Sequence, residues 1–296
     1  MLKGSLVALV TPMHVDGSID KKSLHELVEW HIAEKTDGFV IAGTTGEGST
    51  LTENEQYEVI SAVVLQVAKR LPVIAGTGTL STEHTIHLTR NAHKAGADGA
   101  LIVTPYYNKP TQKGLFAHYQ AIAKSVDFPI IMYNVPGRTA CDMLPETVER
   151  LAKISNIVGI KEATGKPERT AEIFKRCGKE FAIYSGDDAT ALDSMQKGAI
   201  GAISVTANVL PQKMHNMCQA ALNGEMETAE KINQELMPLH KKLFLESNPI
   251  PTKWVLNQMG LIPAGIRLPL SPLDTQYHSD LQDAMQMAGV THKTKV

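Results

Sequence analysis

Eight alternations of a short apolar run with an amphipathic segment predict an α/β chain folded as a (β/α)8 TIM barrel, with an added C-terminal helical region. Two further observations support closure. The connections are short, as a parallel sheet with packed helices requires, and 296 residues suit one barrel with additions. Five or six units would instead suit an open, doubly wound sheet.

The elements follow in order. Residues 5–10 are apolar and end at Thr11-Pro12, as a strand would. Across 23–34, Leu24, Leu27, Val28 and Ile32 share one helical face. The second strand, 38–42, runs into Gly43-Thr44-Thr45-Gly46-Glu47. Thr52 and Glu55 make a capping box for a helix with Ile60, Val63, Val64 and Val67 at core spacing. Strand 72–75 ends in Gly76-Thr77-Gly78, and helix 82–94 stops at Ala95-Gly96. Strand 99–103 ends in Thr104-Pro105-Tyr106-Tyr107 and precedes helix 113–125. Strand 129–132 ends in Tyr133-Asn134-Val135-Pro136 and precedes a short helix, 145–153. Strand 157–160 delivers Lys161, with helix 168–177 behind it. Strand 181–184 ends in Ser185-Gly186-Asp187-Asp188, helix 190–197 follows, and 201–205 is the last strand. A helix after Pro211 closes the set. Beyond Gly224 only helices are expected, over 225–245, 250–259 and 279–288, with prolines at the joints. The expected division is therefore a catalytic barrel over 1–224 and a helical region over 225–296 that ends in a short frayed tail.

Composition narrows the function classes. The chain is 43% hydrophobic and 20% charged, with a net charge of −2 and no basic face, so nucleic acid is not an expected partner. Its basic cluster, His292-Lys293-Thr294-Lys295, reads as part of the frayed tail. No apolar run is long enough to span a bilayer, and the first residues do not resemble an export signal. Cys141, Cys177 and Cys218 are scattered and odd in number, which indicates neither a disulfide framework nor a zinc knuckle and fits a reducing cytoplasm. The eleven histidines form no HExxH pattern, and His84 and His87 on one helix face lack a third ligand, so no metal is expected.

In such barrels the residues just after each strand share the rim that carries the active site. That rim holds Thr44, Thr45, Tyr106, Tyr107, Tyr133, Arg138, Lys161, Gly186 and Ser204-Val205-Thr206. A lysine at a buried strand end loses hydration, so its pKa falls and it can attack a carbonyl. The competing fate is a stem that snorkels to solvent. Hydroxyls can move protons, and an arginine can grip a carboxylate. Residues 43–47 lack the Gly-Lys-Ser/Thr ending of a P-loop, and 76–78 lack the third glycine of a dinucleotide site. Their backbone N–H groups and threonine hydroxyls suit an anion cradle instead. Glu162 points to the opposite strand face from Lys161 and is not assigned as the base.

Several spaced motifs, in one order, resemble the dihydrodipicolinate synthase family. They are residues 43–47, Thr104-Pro105-Tyr106-Tyr107-Asn108, Tyr133-Asn134-Val135-Pro136-Gly137-Arg138-Thr139 and Gly159-Ile160-Lys161-Glu162-Ala163-Thr164, together with 185–188 and Asn248-Pro249-Ile250-Pro251-Thr252-Lys253. The resemblance spans the chain to about Val290. It implies condensation of pyruvate with L-aspartate 4-semialdehyde in lysine biosynthesis, without a cofactor. It further implies that Lys161 forms the Schiff base, that Tyr133 shuttles protons, and that Thr44 and Tyr107 complete the relay, with Tyr107 reaching in from a neighbouring subunit. Thr45, Arg138, Ile203 and Gly186 would bind substrate: Thr45 with the backbone near Ile203 for the pyruvate carboxylate, and Arg138 for the semialdehyde carboxylate. A homotetramer, built as a dimer of dimers, is implied too. Lysine-regulated members bind L-lysine near the counterparts of Gly48, Ser49, Glu53, Gln56, Leu80, His84 and Tyr106. Here Leu80 offers no side-chain hydrogen bond and His84 no carboxylate, so weak or absent inhibition is expected. Two alternatives remain. One is a sugar-acid aldolase such as N-acetylneuraminate lyase, against which Arg138 argues because a polyol needs neutral donors. The other is a non-catalytic pyruvate-binding protein, for which a lowered-pKa amine would be superfluous.

Overall fold

The structure is a computed structural model that describes residues 2–290. The tail at His292–Lys295 lies outside the described residues. Eight parallel strands close in sequence order. They are β1 Gly4–Ala8, β2 Gly38–Ile41, β3 Val73–Gly76, β4 Gly99–Val103, β5 Ile130–Asn134, β6 Ile157–Glu162, β7 Ala182–Ser185 and β8 Gly201–Ser204. Closure is explicit because β1 pairs with both β2 and β8. The helices that follow them are α1 Lys21–Ala33, α2 Glu53–Val67, α3 Thr82–Lys94, α4 Gln112–Ser125, α5 Pro136–Thr139, α6 Pro145–Leu151, α7 Pro167–Cys177, α8 Ala191–Gln196 and α9 Pro211–Leu222. Beyond the barrel come α10 Met226–Lys242, α11 Ile250–Gln258 and α12 His278–Ala288. The predicted barrel and helical extension are both present.

Strand alternation divides the core in two. Leu6, Ala8, Val40, Ile74, Leu101, Ile131, Tyr133, Tyr184 and Ile203 pack with one another inside the barrel. Val7, Phe39, Ile41, Ile102, Met132, Ile160 and Ile183 belong to the larger apolar layer beneath the helices. Both strand faces are therefore covered, which is why the strands read as continuous apolar runs. The capping box at Thr52 and Glu55 forms as expected.

The differences are local. The β1 ladder ends at Ala8; the Val10 N–H donates to Asn208 Oδ1 at 3.1 Å. Helix α6 stops at Leu151, before the expected Lys153. The one-turn α5 was not predicted, since four residues carry no helical period. Among the described residues no helix is long and apolar enough to cross a membrane. The three cysteines are free.

Candidate active site

Tyr133 on β5 and Lys161 on β6 are direct partners in the strand register. Both point inward, so their side chains meet at the end of the barrel interior. Lys161 is 5% exposed, and its Nζ stands 4.4 Å from the centroid of the Tyr133 ring. Burial pulls the Lys161 amine down to about 8; the Asp188 carboxylate opposes this and the Arg138 guanidinium adds to it. Burial pushes the Tyr133 phenol up to about 12, against Arg138 and a side-chain hydrogen bond with Thr44. Lys161 therefore does not snorkel. It is a desolvated amine beside a protonated phenol.

Gly186, after β7, is what makes room for the lysine stem. A Cβ there would lie 2.7 Å from Lys161 Cε and 2.7 Å from Ala163 Cβ. The residue expected to bind substrate thus also packs directly against the Lys161 side chain. Behind it, the Asp188 carboxylate accepts the N–H groups of Val205 and Thr206 at 2.9 and 2.8 Å. These bonds fix the chain just after Ile203, which is buried in the barrel interior.

The loop after β2 carries Thr44, exposed, and Thr45, buried. Asn248 Nδ2 donates to Thr45 Oγ1 at 2.9 Å, and Arg138 Nη2 donates to the Asn248 carbonyl at 3.2 Å. Asn248, just ahead of α11, therefore ties together two predicted substrate-binding residues from different parts of the barrel. Glu47, in the same loop, forms a buried ion pair with Lys253 of α11 and also accepts the Arg267 N–H at 3.1 Å. Its φ of +55° places it in the left-handed region, a sharp bend at the loop's end.

A cavity of about 520 Å³ opens from Tyr133, Thr44 and Arg138 past Tyr106 toward Leu80 and His84. Lys161 is not on its wall and sits deeper, against the Tyr133 ring. All seven positions compared with the lysine-binding site lie along this cavity. His84 and His87 lie on an exposed face of α3, and both contact the Glu53 carboxylate, at 2.9 and 3.1 Å.

Of the four residues expected to be catalytic, Tyr107 is the one that the fold turns outward. It is 88% exposed with φ +71°, a backbone conformation that a bulky side chain rarely adopts. Three groups around the site were not singled out from sequence. Asp188 and Asn248 each lay inside a quoted motif, but only the folded contacts give them a task. The Glu47–Lys253 pair spans too much sequence for any spacing rule. Among the described residues no group of three or more His, Cys, Asp or Glu side chains could hold a metal ion.

A desolvated amine, an adjacent phenol, a hydroxyl and an arginine within one barrel mouth can carry imine chemistry on a carboxylated ketone. Residues 1–288 match the sequence profile of the Dihydrodipicolinate synthetase family. The chain belongs to this family. It is 58% identical over 290 residues to the 4-hydroxy-tetrahydrodipicolinate synthase of Alcanivorax borkumensis, covering 98% of this chain and 99% of that one. The corresponding synthase of Pseudomonas aeruginosa is 56% identical over the same length. Among solved structures, the chloride-inhibited dihydrodipicolinate synthase from Acinetobacter baumannii complexed with pyruvate superposes with a TM-score of 0.97 at 52% identity, covering 98% of this chain and 100% of that one. The enzyme from Aquifex aeolicus gives a TM-score of 0.96 at 42% identity, with 99% and 100% covered.

Proposed function

We propose that Lys161 is the nucleophile through which this chain joins pyruvate to L-aspartate 4-semialdehyde. The chain is a lyase of the synthase type, and the product is 4-hydroxy-tetrahydrodipicolinate plus water. The observation that carries the assignment is the buried Lys161 amine, held near pKa 8 against the Tyr133 ring.

The amine adds to the ketone carbon of pyruvate, and water leaves as the imine forms. Loss of a methyl proton gives the enamine, whose carbon attacks the aldehyde; the aldehyde oxygen takes up a proton. The amino group of the semialdehyde then attacks the imine carbon, closes the ring and releases Lys161. The imine is the electron sink, so no cofactor is required. Tyr133 moves the protons, with Thr44 connecting it toward solvent. Thr45 and the backbone near Ile203 hold the pyruvate carboxylate, Gly186 lines the site beside Lys161, and Arg138 takes the carboxylate of the semialdehyde. Arg138 also supports this reaction over cleavage of a sugar acid such as N-acetylneuraminate, because a polyol calls for neutral donors.

Incubation with pyruvate and borohydride should leave a mass adduct on Lys161. Absence of the adduct would remove this assignment and the aldolase alternative together. Consumption of aspartate semialdehyde but not N-acetylneuraminate then separates the two, and adduct formation without turnover of either would leave a pyruvate-binding protein.

The outward, strained Tyr107 supports an assembly in which it enters a neighbouring subunit's site, within a homotetramer of two dimers. Activity per subunit is then expected to fall on dilution through the dimer's dissociation constant. Tyr107→Phe should lower kcat without changing the assembly seen in sedimentation. A catalytic role in lysine and diaminopimelate biosynthesis also fits a cytoplasmic enzyme. L-lysine should inhibit weakly or not at all: Leu80 offers no polar group, and the nearby Glu53 carboxylate is engaged by two histidines. Strong inhibition by sub-millimolar lysine in an activity titration would contradict this.

A further inference from the structure

Asn134 and Glu162 directly follow Tyr133 and Lys161 in the chain and are themselves register partners. By strand alternation they face outward, under the helices, while the catalytic pair faces the barrel interior. Neither is needed for any proton or bond in the reaction, yet both are buried, at 0% and 4% exposure. Asn134 Nδ2 donates to Glu162 Oε2 at 3.1 Å and to Asp142 Oδ1 at 2.9 Å, and its Oδ1 accepts the Met143 N–H at 3.0 Å. The other Glu162 oxygen accepts the Thr164 N–H at 2.9 Å. Asp142 is gripped in turn by two N–H groups of Arg169, at 3.1 and 2.9 Å, which ties the cluster to the first turn of α7.

The β5–β6 ladder explains why such a cluster belongs here. Ile130 pairs with Ile157 but Ile131 pairs with Gly159, so β6 carries one extra residue, Val158, near its start. The pairing before the irregularity therefore does not dictate the pairing after it. A slip of one residue would exchange inward and outward side chains and put Ile160 or Glu162 where Lys161 stands. The first side-chain bond between the strands beyond the catalytic pair is Asn134 to Glu162.

Given the roles proposed for Lys161 and Tyr133, we infer that Asn134 and Glu162 are positioning residues: their hydrogen bond on the outer barrel face sets the register that holds the Lys161 amine against Tyr133. The pair acts through the backbone of the two strands and never touches substrate.

The test is a double-mutant cycle in the full-length protein, with Asn134→Ala, Glu162→Ala and both together, and Glu162→Gln as the conservative variant. The readouts are kcat, KM for each substrate, and the rate of the borohydride-trapped pyruvate adduct on Lys161. Each alanine variant should lose about 10- to 100-fold in kcat and in adduct rate, the scale of a misplaced reacting group. KM for the semialdehyde should stay within about threefold, because Arg138 is not displaced. The double variant should lose no more than the worse single one, and Glu162→Gln should keep most of the activity. Folded alanine variants with kcat within twofold of the parent would overturn the inference. So would losses that multiply in the double variant, or a Glu162→Gln variant as impaired as Glu162→Ala. If Glu162→Ala does not fold, Asn134→Ala decides the matter alone: a folded variant whose kcat and adduct rate stay within twofold of the parent would overturn the inference. Absence of an adduct in the parent protein would speak against the assignment of Lys161 itself. A parent adduct whose rate the variants leave unchanged would speak against the positioning role alone.

Discussion

Lys161 owes its reactivity to the place it occupies. Burial among apolar strand residues disfavours the ammonium. The neutral amine is the attacking form, so adduct formation with pyruvate should rise about tenfold per pH unit below about 8 and level off above it. The two charged neighbours shift this midpoint in opposite directions. Arg138→Ala removes a cation that disfavours the ammonium, so the midpoint should move up and the rate at neutral pH should fall. Asp188→Asn removes an anion that favours it, so the midpoint should move down. Borohydride trapping across pH reads both, and shifts in the reverse sense would show that another group governs the profile.

At the scale of elements, the site is an encounter of strand ends whose spacing leaves little slack. Gly186 follows β7 with no space for a methyl group beside the Lys161 stem. Gly186→Ala should cost about 1–3 kcal/mol of stability through overpacking, measurable by denaturant titration. It should also lower kcat by about 100-fold, because the displaced group is the proposed nucleophile. A variant with full kcat would mean that the lysine stem can move aside freely. The β5–β6 pair shows how strand order and alternation convert neighbouring sequence motifs into one site. Tyr133 and Lys161 meet because their strands are adjacent, and Asn134 and Glu162 meet behind them for the same reason.

Across the whole molecule, the helices beyond the barrel are joined to the catalytic rim rather than merely appended. Asn248 links Thr45 to Arg138, and Lys253 on α11 forms a buried ion pair with Glu47 in the loop that presents Thr44 and Thr45. Lys253→Met leaves the Glu47 carboxylate buried without its cation and should destabilise the chain by about 3–5 kcal/mol. Adding Glu47→Gln should restore much of that loss, since a neutral amide no longer needs a counter-charge. Thermal or chemical unfolding of the single and double variants measures this, and equal losses in both would locate the effect in packing instead. Loss of activity in the single variant is expected to accompany the loss of loop order.

The amino-acid sequence by itself determined the barrel, the order of its strands and which reactive side chains stand at its mouth. Those features rest on local periodicity and on strand-end motifs, and eight alternations leave few arrangements of a parallel sheet. Lys161, Tyr133, Thr44, Thr45, Arg138 and Gly186 could be picked out as candidates because each sits at or soon after a strand end, while the roles proposed for them came from the family resemblance. Only the tertiary structure decided which side chains answer one another across long stretches of chain. Asn248 with Thr45, and Lys253 with Glu47, are separated by 203 and 206 residues, and no periodicity relates them. The left-handed backbone at Tyr107 and the register irregularity in β6 were likewise invisible in advance, although the family resemblance had already implied that Tyr107 reaches toward a neighbouring subunit. Both depend on backbone geometry that neighbouring elements impose, whereas the depressed affinity of Lys161 for its proton follows from a burial that only the closed barrel supplies.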